Sequence, residues 1–229
     1  DDETWLPVKI KDRCRGVMKS QLMPPIRVVE TVPPVELDTG VSGVRIFDMK
    51  KLFGGWARLH LHGSKGAVVR VRYAERIHTS GEIDQDDHDF GECTDVYTCS
   101  GDPDGETYEP RFTYHPVNYV QVESNTSDVE VLSVEGRVTR SDLDFSGNFM
   151  CGNSLFNSIH DACIQSVKNQ SFGLPLDCLY REHWGWVDPA SVAGTLFARR
   201  NMPNYWSKWV DDIRDSQFAN GGIPDIAPN

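Results

Sequence analysis

The residue types that can do chemistry are densest in one stretch of twelve residues, Asp177 to Asp188. It contains three carboxylates, one arginine, one histidine and two tryptophans. The face of a tryptophan can hold the apolar face of a sugar ring. Apolar walls beside a carboxylic acid raise its pKa, so the acid can donate a proton near neutrality. Glu182, which follows Arg181 and stands near Trp184 and Trp186, is therefore the candidate general acid.

The other carboxylates of the stretch, Asp177 and Asp188, could orient substrate hydroxyls or hold Arg181. Glycoside hydrolysis requires a carboxylate on either side of the scissile bond, and their separation decides whether the anomeric configuration is retained or inverted. Structural roles remain alternatives. Asp188 before Pro189 is typical of a helix N-cap, Arg181 and Glu182 could form only a surface ion pair, and the two tryptophans could be core residues.

Other reactive residues give weaker signals. His60 and His62 share one face of a predicted strand, which suits a metal, but no nearby acidic ligand is evident. The run from Asp84 to Asp89 resembles a calcium-binding loop only loosely, because it lacks that loop's glycine and distal glutamate, and a solvated acidic loop is favoured. Cys178 has no defined base partner and is a weak candidate nucleophile. We therefore predict no metal and no other cofactor.

Composition excludes several classes of function. The chain has 34 acidic and 23 basic side chains among 229 residues, a formal charge of −11, and no basic stripe that could gather phosphate contacts, so no nucleic-acid partner is expected. Apolar runs fall far short of the roughly 20 residues that cross a bilayer, so no membrane span is expected. A hydrophobic fraction of 39% predicts a globular protein.

The compartment stays open. The chain does not open with a basic region followed by an apolar stretch, as a secretory signal would. The six cysteines include no CxxC pair, which favours free thiols over disulfides. The cytoplasm is slightly favoured over the periplasm or secretion.

The elements that must position the Asp177 to Asp188 stretch change character near residue 140. Before that point, apolar residues alternate at period two, which predicts strands with one buried face. Glycine-, proline- and aspartate-rich turns between the runs favour a sandwich or jelly roll. The residues predicted to face the core include Ala57, Leu59, Leu61, Val69, Val71, Tyr73, Val120 and Val122.

After Asp142, apolar residues recur at helical spacing. A first helix is expected to follow Asn153 as N-cap, a second to run from Asp188 to about Arg200, and a third to end at Gly221-Gly222. Three such helices predict an antiparallel array whose apolar faces need further helices or a partner, so the chain is expected to be a fragment. The first helix carries Leu155, Phe156, Ile159, Cys163 and Val167. The predicted buried side of the third is Tyr205, Trp206, Trp209, Val210, Ile213 and Phe218.

The motifs, taken in their order, resemble the bacterial α-L-rhamnosidases of glycoside hydrolase family 78, from about Gln21 to Asn229. The stretch from Asp177 to Trp186 resembles the family's DCPQRExxGW signature, and Asp211 to Pro228 is similar to its LRDxQxxDGGIPDxAP segment. Four segments of the β part are similar to family segments: Met23 to Val28, Trp56 after Gly54-Gly55, Thr94 to Thr98, and Glu109 to His115.

This resemblance implies a jelly-roll-like β-sandwich followed by the first helices of an (α/α)6 six-hairpin barrel. Residues 1–24 would be a linker from a preceding domain, 25–140 the sandwich, and 141–229 the incomplete catalytic domain. The implied reaction is inverting hydrolysis of terminal α-L-rhamnose from a glycan or plant glycoside. The implied partners are that substrate and the remainder of the chain's own barrel, which would carry the glutamate acting as general base.

By motif position, Glu182 matches the general acid of the family. Leu179-Tyr180 depart from the usual Pro-Gln, and no glycine separates Val187 from Asp188. Substrate preference could therefore differ, and a non-catalytic carbohydrate-binding relative or an exo-glycosidase for another sugar remains the alternative. The residues expected to bind substrate are Asp177, Arg181, Trp184, Trp186, Asp188 and Asp225.

Overall fold

The computed structural model describes residues 5–11, 17–40, 43–86, 88, 91–144, 148–188 and 202–228. Strands occupy its first part and helices its second, as the sequence predicts. The strands are β1 (Ile26–Val32), β2 (Val35–Leu37), β3 (Val44–His62), β4 (Val68–Ala74), β5 (Arg76–Ile77), β6 (Ile83–Asp84), β7 (Thr94–Thr98), β8 (Glu106–Tyr108), β9 (His115–Ser124) and β10 (Glu130–Ser141). The helices within these ranges are α1 (Ser154–Gln170) and α2 (Met202–Asp215).

The main sheet is antiparallel and curled, with the strand order β1-β10-β3-β9-β4-β7. Its longest strand, β3, changes partners along its 19 residues: its first part pairs with β2 and β9, and its last part with β10 and β8. The register against β9 shifts between Asp48 and Phe53, and Lys50 between them has a φ of 60°. Such an irregularity bends a strand, so one sheet supplies both layers of a sandwich-like domain.

The core of this domain confirms the period-two prediction. Side chains alternate across a strand, so every second residue of β4 and of the last part of β3 points inward. These inward residues join those of β9 and β10 in one cluster, and burying each large one stabilises the fold by about 1.5–3 kcal/mol. The predicted core residues are all buried: Ala57, Leu59, Leu61, Val69, Val71, Tyr73, Val120 and Val122.

Helix α1 begins where the sequence predicts. The side chain of Asn153 accepts a hydrogen bond from the backbone N–H of Leu155 at 2.9 Å, which satisfies a donor that the helix itself leaves unpaired. The apolar residues Leu155, Phe156 and Ile159 are nevertheless exposed. In the described residues, the first turns of α1 therefore present an apolar surface to solvent.

Helix α2 differs from its prediction in two ways. It ends at Asp215, well before Gly221-Gly222. Val210 and Phe218, predicted to be buried, are 58% and 52% exposed. Val210 lies about 40° around the helix axis from the buried Trp206, so it is on the predicted face, but the described residues leave that edge of the face uncovered. Phe218 lies beyond the helix in a separate turn. The residues that do pack in the second core cluster are Met202, Tyr205, Trp206 and Trp209, together with Met23 and Leu143.

Some predictions concern residues that the structure does not describe. The predicted helix from Asp188 to Arg200 lies outside the described residues, apart from Asp188 itself. No helix in the described ranges is long and apolar enough to cross a bilayer. Five cysteines are free thiols, and Cys14 lies outside the described residues: the five are Cys93, Cys99, Cys151, Cys163 and Cys178.

Candidate active site

The loop that begins at Asp177 is closed on itself. The backbone N–H of Asp177 donates to the carbonyl of Trp184 at 3.1 Å, and the N–H of Trp184 donates back to Asp177 Oδ1 at 3.0 Å. From the end of α1, Gln170 Nε2 donates to the Asp177 carbonyl at 2.7 Å. These contacts join the two ends of the segment that carries Glu182 and fix the segment to the helix.

A second anchor comes from the C-terminal segment. Trp186 and Ile226 form an isolated antiparallel bridge, in which Val187 N–H donates to the Asp225 carbonyl and Ala227 N–H to the Gly185 carbonyl, both at 2.9 Å. Asp225, predicted to lie near this site, is thus brought against the loop through its backbone, while its side chain is exposed.

Gly185 is required by this packing. A Cβ atom built on it would lie 2.2 Å from the carbonyl oxygen of Ala227 and 2.4 Å from Leu174 Cδ1, closer than real Cβ contacts ever come. Only glycine allows the two backbones to approach this closely.

The carboxylate of Glu182 is held from two sides. Trp186 Nε1 donates to Glu182 Oε2 at 2.9 Å, and the guanidinium of Arg181 lies 3.3 Å from Oε1. The side chain of Glu182 is 23% exposed, against 50% for Arg181. The alternative, a surface ion pair, accounts for the contact with Arg181 but not for the hydrogen bond from Trp186. An exposed ion pair contributes little stability, whereas the indole hydrogen bond fixes the orientation of the carboxylate.

Asp177 stands beside Glu182, and the surroundings of Asp177 favour the charged form of its own carboxyl group. Partial burial opposes that charge, but hydrogen bonds from the Glu182 side chain, from the backbone N–H groups of Cys178 and Trp184, and from the Cys178 thiol outweigh it. The pKa of Asp177 therefore lies below its ordinary value. The site thus contains two interacting carboxyl groups, one of which is stabilised as an anion.

The two tryptophans have different environments. Trp184 is 42% exposed, so the alternative that both are core residues is wrong for Trp184. Trp186 is partly buried, and the two rings lie 6.0 Å apart at 40° to each other. Asp188 is exposed at the end of the loop, and the helix that it was predicted to cap lies outside the described residues.

The β domain also reaches the loop, which our sequence reasoning did not anticipate. The ring of Tyr114 stacks on Phe172 at 4.0 Å and on His183 at 4.7 Å. The only sequence signal for Tyr114 is its place in the segment from Glu109 to His115. A contact with the loop cannot be inferred from that position, because the two segments are distant along the chain.

A small cavity lies where the β domain meets Tyr180 of the loop. Its volume is about 90 Å³, room for roughly three water molecules. Burial raises the pKa of Glu75, one of its lining residues. The lining residues are Glu75, Arg76, Asp84, His88 and Tyr180.

The histidines considered as metal ligands lie elsewhere on the β domain. His60 and His62 are neighbours, with ring centroids 6.3 Å apart, and His60 Nδ1 is 3.1 Å from the Glu106 carbonyl oxygen. In the acidic run, Asp84 and Asp86 are joined by His78, and one donor atom from each lies within 4.8 Å of the others. Sequence reasoning missed His78, which lies beside the run because β5 and β6 form a hairpin.

Comparison with known families covers most of the chain. Residues 39–140 match the concanavalin-like domain of bacterial α-L-rhamnosidases, and residues 144–229 match their six-hairpin glycosidase domain. The α-L-rhamnosidase of Streptomyces avermitilis is 30% identical over 231 aligned residues, which include all of this chain and 22% of that protein.

Solved structures agree with this match. The α-L-rhamnosidase of Dictyoglumus thermophilum superposes with a TM-score of 0.84 at 30% identity, over 91% of this chain and 24% of that one. The Streptomyces avermitilis enzyme, solved in complex with L-rhamnose, gives 0.83 at 30% identity, over 92% of this chain and 20% of that one. The chain thus spans about a quarter or less of these relatives. With its two parts matching consecutive domains in the same order, the chain belongs to the bacterial α-L-rhamnosidase family.

Proposed function

We propose that the protein hydrolyses terminal α-L-rhamnosides with inversion at the anomeric carbon, and that Glu182 is its general acid. The observation that carries this proposal is the placement of Glu182 between the indole N–H of Trp186 and the guanidinium of Arg181, beside the charged Asp177. The names of the relatives support rhamnose as the sugar.

Asp177 is the charged neighbour of Glu182 in this proposal. A hydrogen bond between two carboxyl groups needs one proton between them, and two neighbouring carboxylates do not readily ionise together. Asp177 also accepts the Trp184 N–H, so it is the member of the pair that retains the negative charge. Glu182, its partner in that hydrogen bond, is the member that we propose as the proton donor to the departing oxygen.

In the reaction, the proton of Glu182 passes to the glycosidic oxygen as its bond to the anomeric carbon breaks. A water attacks that carbon from the opposite face and gives its proton to a general base. We place this base, a glutamate, in the further hairpins that would complete an (α/α)6 barrel. The remaining proposed roles are in binding: the exposed face of Trp184 packs against the sugar, and the polar residues bind its hydroxyls, namely Asp177, Arg181, Asp188 and Asp225, with Trp186 orienting the acid.

The test is Glu182→Gln in the full-length protein, assayed on two rhamnosides with poor and good leaving groups. We expect hydrolysis of methyl α-L-rhamnoside to fall by about 10²–10⁴-fold, because its leaving oxygen needs a proton, while 4-nitrophenyl α-L-rhamnoside is much less affected. Proton NMR of the first product should show the inverted anomer.

Glu130→Gln, at the exposed start of β10, is the matched control and should leave both rates unchanged. Hydrolysis of the methyl rhamnoside by Glu182→Gln at the wild-type rate would refute the assignment of the acid. Calorimetric binding of rhamnose by the wild-type protein without any product release would instead support the non-catalytic carbohydrate-binding relative.

A further inference from the structure

We infer that Tyr114, a residue of the β domain, positions the loop that carries Glu182 by stacking against His183. The expected effect of Tyr114 on the reaction rate rests on the proposed function, whereas its effect on the position of the loop does not. Tyr114 would be a positioning residue and not a catalytic one, because it acts on the proton donor through the backbone of the loop.

Tyr114 projects from a rigid base. The next residue, His115, opens β9 and is buried, with Nε2 3.0 Å from Asp95 Oδ1. His115 also stacks at 4.2 Å on Tyr73, whose hydroxyl donates to Asp95 Oδ2 at 2.8 Å. Tyr73 is completely buried in the main core, so the backbone beside Tyr114 is fixed to that core.

His183 has a backbone conformation that needs such support. Its φ is 58°, in the left-handed region, which a residue with a Cβ adopts only at a cost in free energy. Two contacts hold it there: Nε2 is hydrogen-bonded to the Leu179 carbonyl, and the ring lies on Tyr114 with 26° between the planes. Since His183 directly follows Glu182, its φ helps to set the direction in which the loop leaves the general acid.

The other contact of Tyr114 ties the loop to the helix before it. Phe172 follows the end of α1 and stacks on Tyr114 at 4.0 Å, so one ring touches the segments on both sides of Asp177. Burial raises the pKa of the Tyr114 hydroxyl, and nearby Cys178 and Asp177 add to the effect. Tyr114 therefore packs under the part of the loop that closes on itself.

Hydrogen–deuterium exchange tests the positioning without relying on catalysis. Tyr114→Leu in the full-length protein removes the stack but keeps an apolar side chain, and we expect faster exchange in peptides covering residues 177–187. Tyr114→Phe keeps the stack and should exchange like the wild type. Tyr108→Leu removes a comparable stack on Tyr97, at 4.8 Å, and is the matched control that should leave these peptides unchanged.

His183→Asn approaches the same contact from the other side. Asparagine tolerates the left-handed region but has no ring to stack on Tyr114. The variant should accelerate exchange of the loop, and combining it with Tyr114→Leu should add little further. Unchanged exchange of residues 177–187 in either single variant, or full additivity of the two, overturns the inference. If Tyr114→Leu does not fold, Tyr114→Met, which keeps a long apolar side chain without the ring, provides the test, because His183→Asn also removes the hydrogen bond to the Leu179 carbonyl.

Kinetics separate this inference from the proposed function. Tyr114→Leu should lower kcat for methyl α-L-rhamnoside by up to about 100-fold, with less effect on the 4-nitrophenyl substrate and on KM, as expected for a misplaced acid. If Glu182→Gln shows this dependence on the leaving group and Tyr114→Leu does not, the positioning role fails alone. If Glu182→Gln lacks the dependence too, the proposed function fails, while the exchange result still decides the positioning of the loop.

Discussion

At the scale of single residues, the candidate site depends on a few close contacts. Glu182 owes its orientation to one indole N–H and one guanidinium, and Asp177 owes its charge to donors from its own loop. The loop in turn depends on Gly185, where the absence of a side chain lets the Ala227 carbonyl approach. Adding one methyl group at that position should therefore alter the position of the Glu182 carboxyl.

We predict that Gly185→Ala destabilises the protein by about 1–3 kcal/mol, the usual cost of overpacking, because the new Cβ must displace the backbone of Ala227. It should also reduce rhamnoside hydrolysis. Urea unfolding and steady-state kinetics measure the two effects. Gly152→Ala is the control, because a Cβ there meets no atom within 4 Å. Equal stability of the two variants would contradict the close approach.

At the scale of elements, turns matter as much as strands. The turn before β8 is organised by Glu106, which is buried and accepts hydrogen bonds from the Tyr97 hydroxyl and from the backbone N–H groups of Ser100 and Gly101. The Tyr97 hydrogen bond is the largest cause that holds the pKa of Glu106 down at about 2, and the backbone donors add to it against the opposing effect of burial. The charge of Glu106 is thus part of the β fold.

The depressed pKa of Glu106 gives this stabilisation a definite pH dependence. A carboxylate whose pKa falls from 4.5 unfolded to about 2 folded stabilises the protein above pH 4.5 and loses that contribution as the pH falls towards 2. We predict that Glu106→Gln lowers the free energy of unfolding at pH 7 by on the order of 2 kcal/mol, and by much less near pH 2.

Denaturant midpoints for Glu106→Gln and wild type, measured from pH 7 down to pH 2, test this. Glu130→Gln serves as the control, because it makes the same change of charge at an exposed position. A difference between Glu106→Gln and wild type that stays constant with pH would show that the charge of Glu106 is not what stabilises the turn.

At the scale of the whole molecule, the β domain and the helical part meet at the candidate site. Tyr114 contributes a stacking surface, and β3 contributes the Leu52 carbonyl, which accepts a hydrogen bond from Asn169 of α1 at 3.0 Å. Away from this junction, α1 presents Leu155, Phe156 and Ile159 to solvent. Such an apolar surface calls for a covering partner, and the proposed barrel would provide one.

We predict that residues 1–229 expressed alone hydrolyse no rhamnoside and bind a hydrophobic dye more strongly than the full-length protein. The proposed base is outside this segment, and the exposed face of α1 would remain uncovered. Product release and dye fluorescence, measured on both proteins at equal concentration, provide the test. Efficient hydrolysis by the shorter chain would place a general base within it.

Local patterns in the sequence determined the elements. Period-two alternation located the buried faces of β3, β4 and β9, and Asn153 located the start of α1, because both signals act between residues a few positions apart. The loop from Asp177 to Asp188 was also recognisable as a candidate site, because its carboxylates and tryptophans lie within a few positions of one another in the sequence. Their roles in substrate binding stay predictions.

Contacts between distant segments were decided only by the tertiary structure. The stack of Tyr114 on His183, the approach of Ala227 to Gly185, and the change of partners along β3 each join residues far apart in the chain. The exposure of Val210 was also misjudged, since helical spacing defines a face but not how much of that face a neighbour covers. Sequence periodicity indicates the direction in which a side chain points. Whether that side chain is buried, and which residues it contacts, depends on the other segments that pack against it.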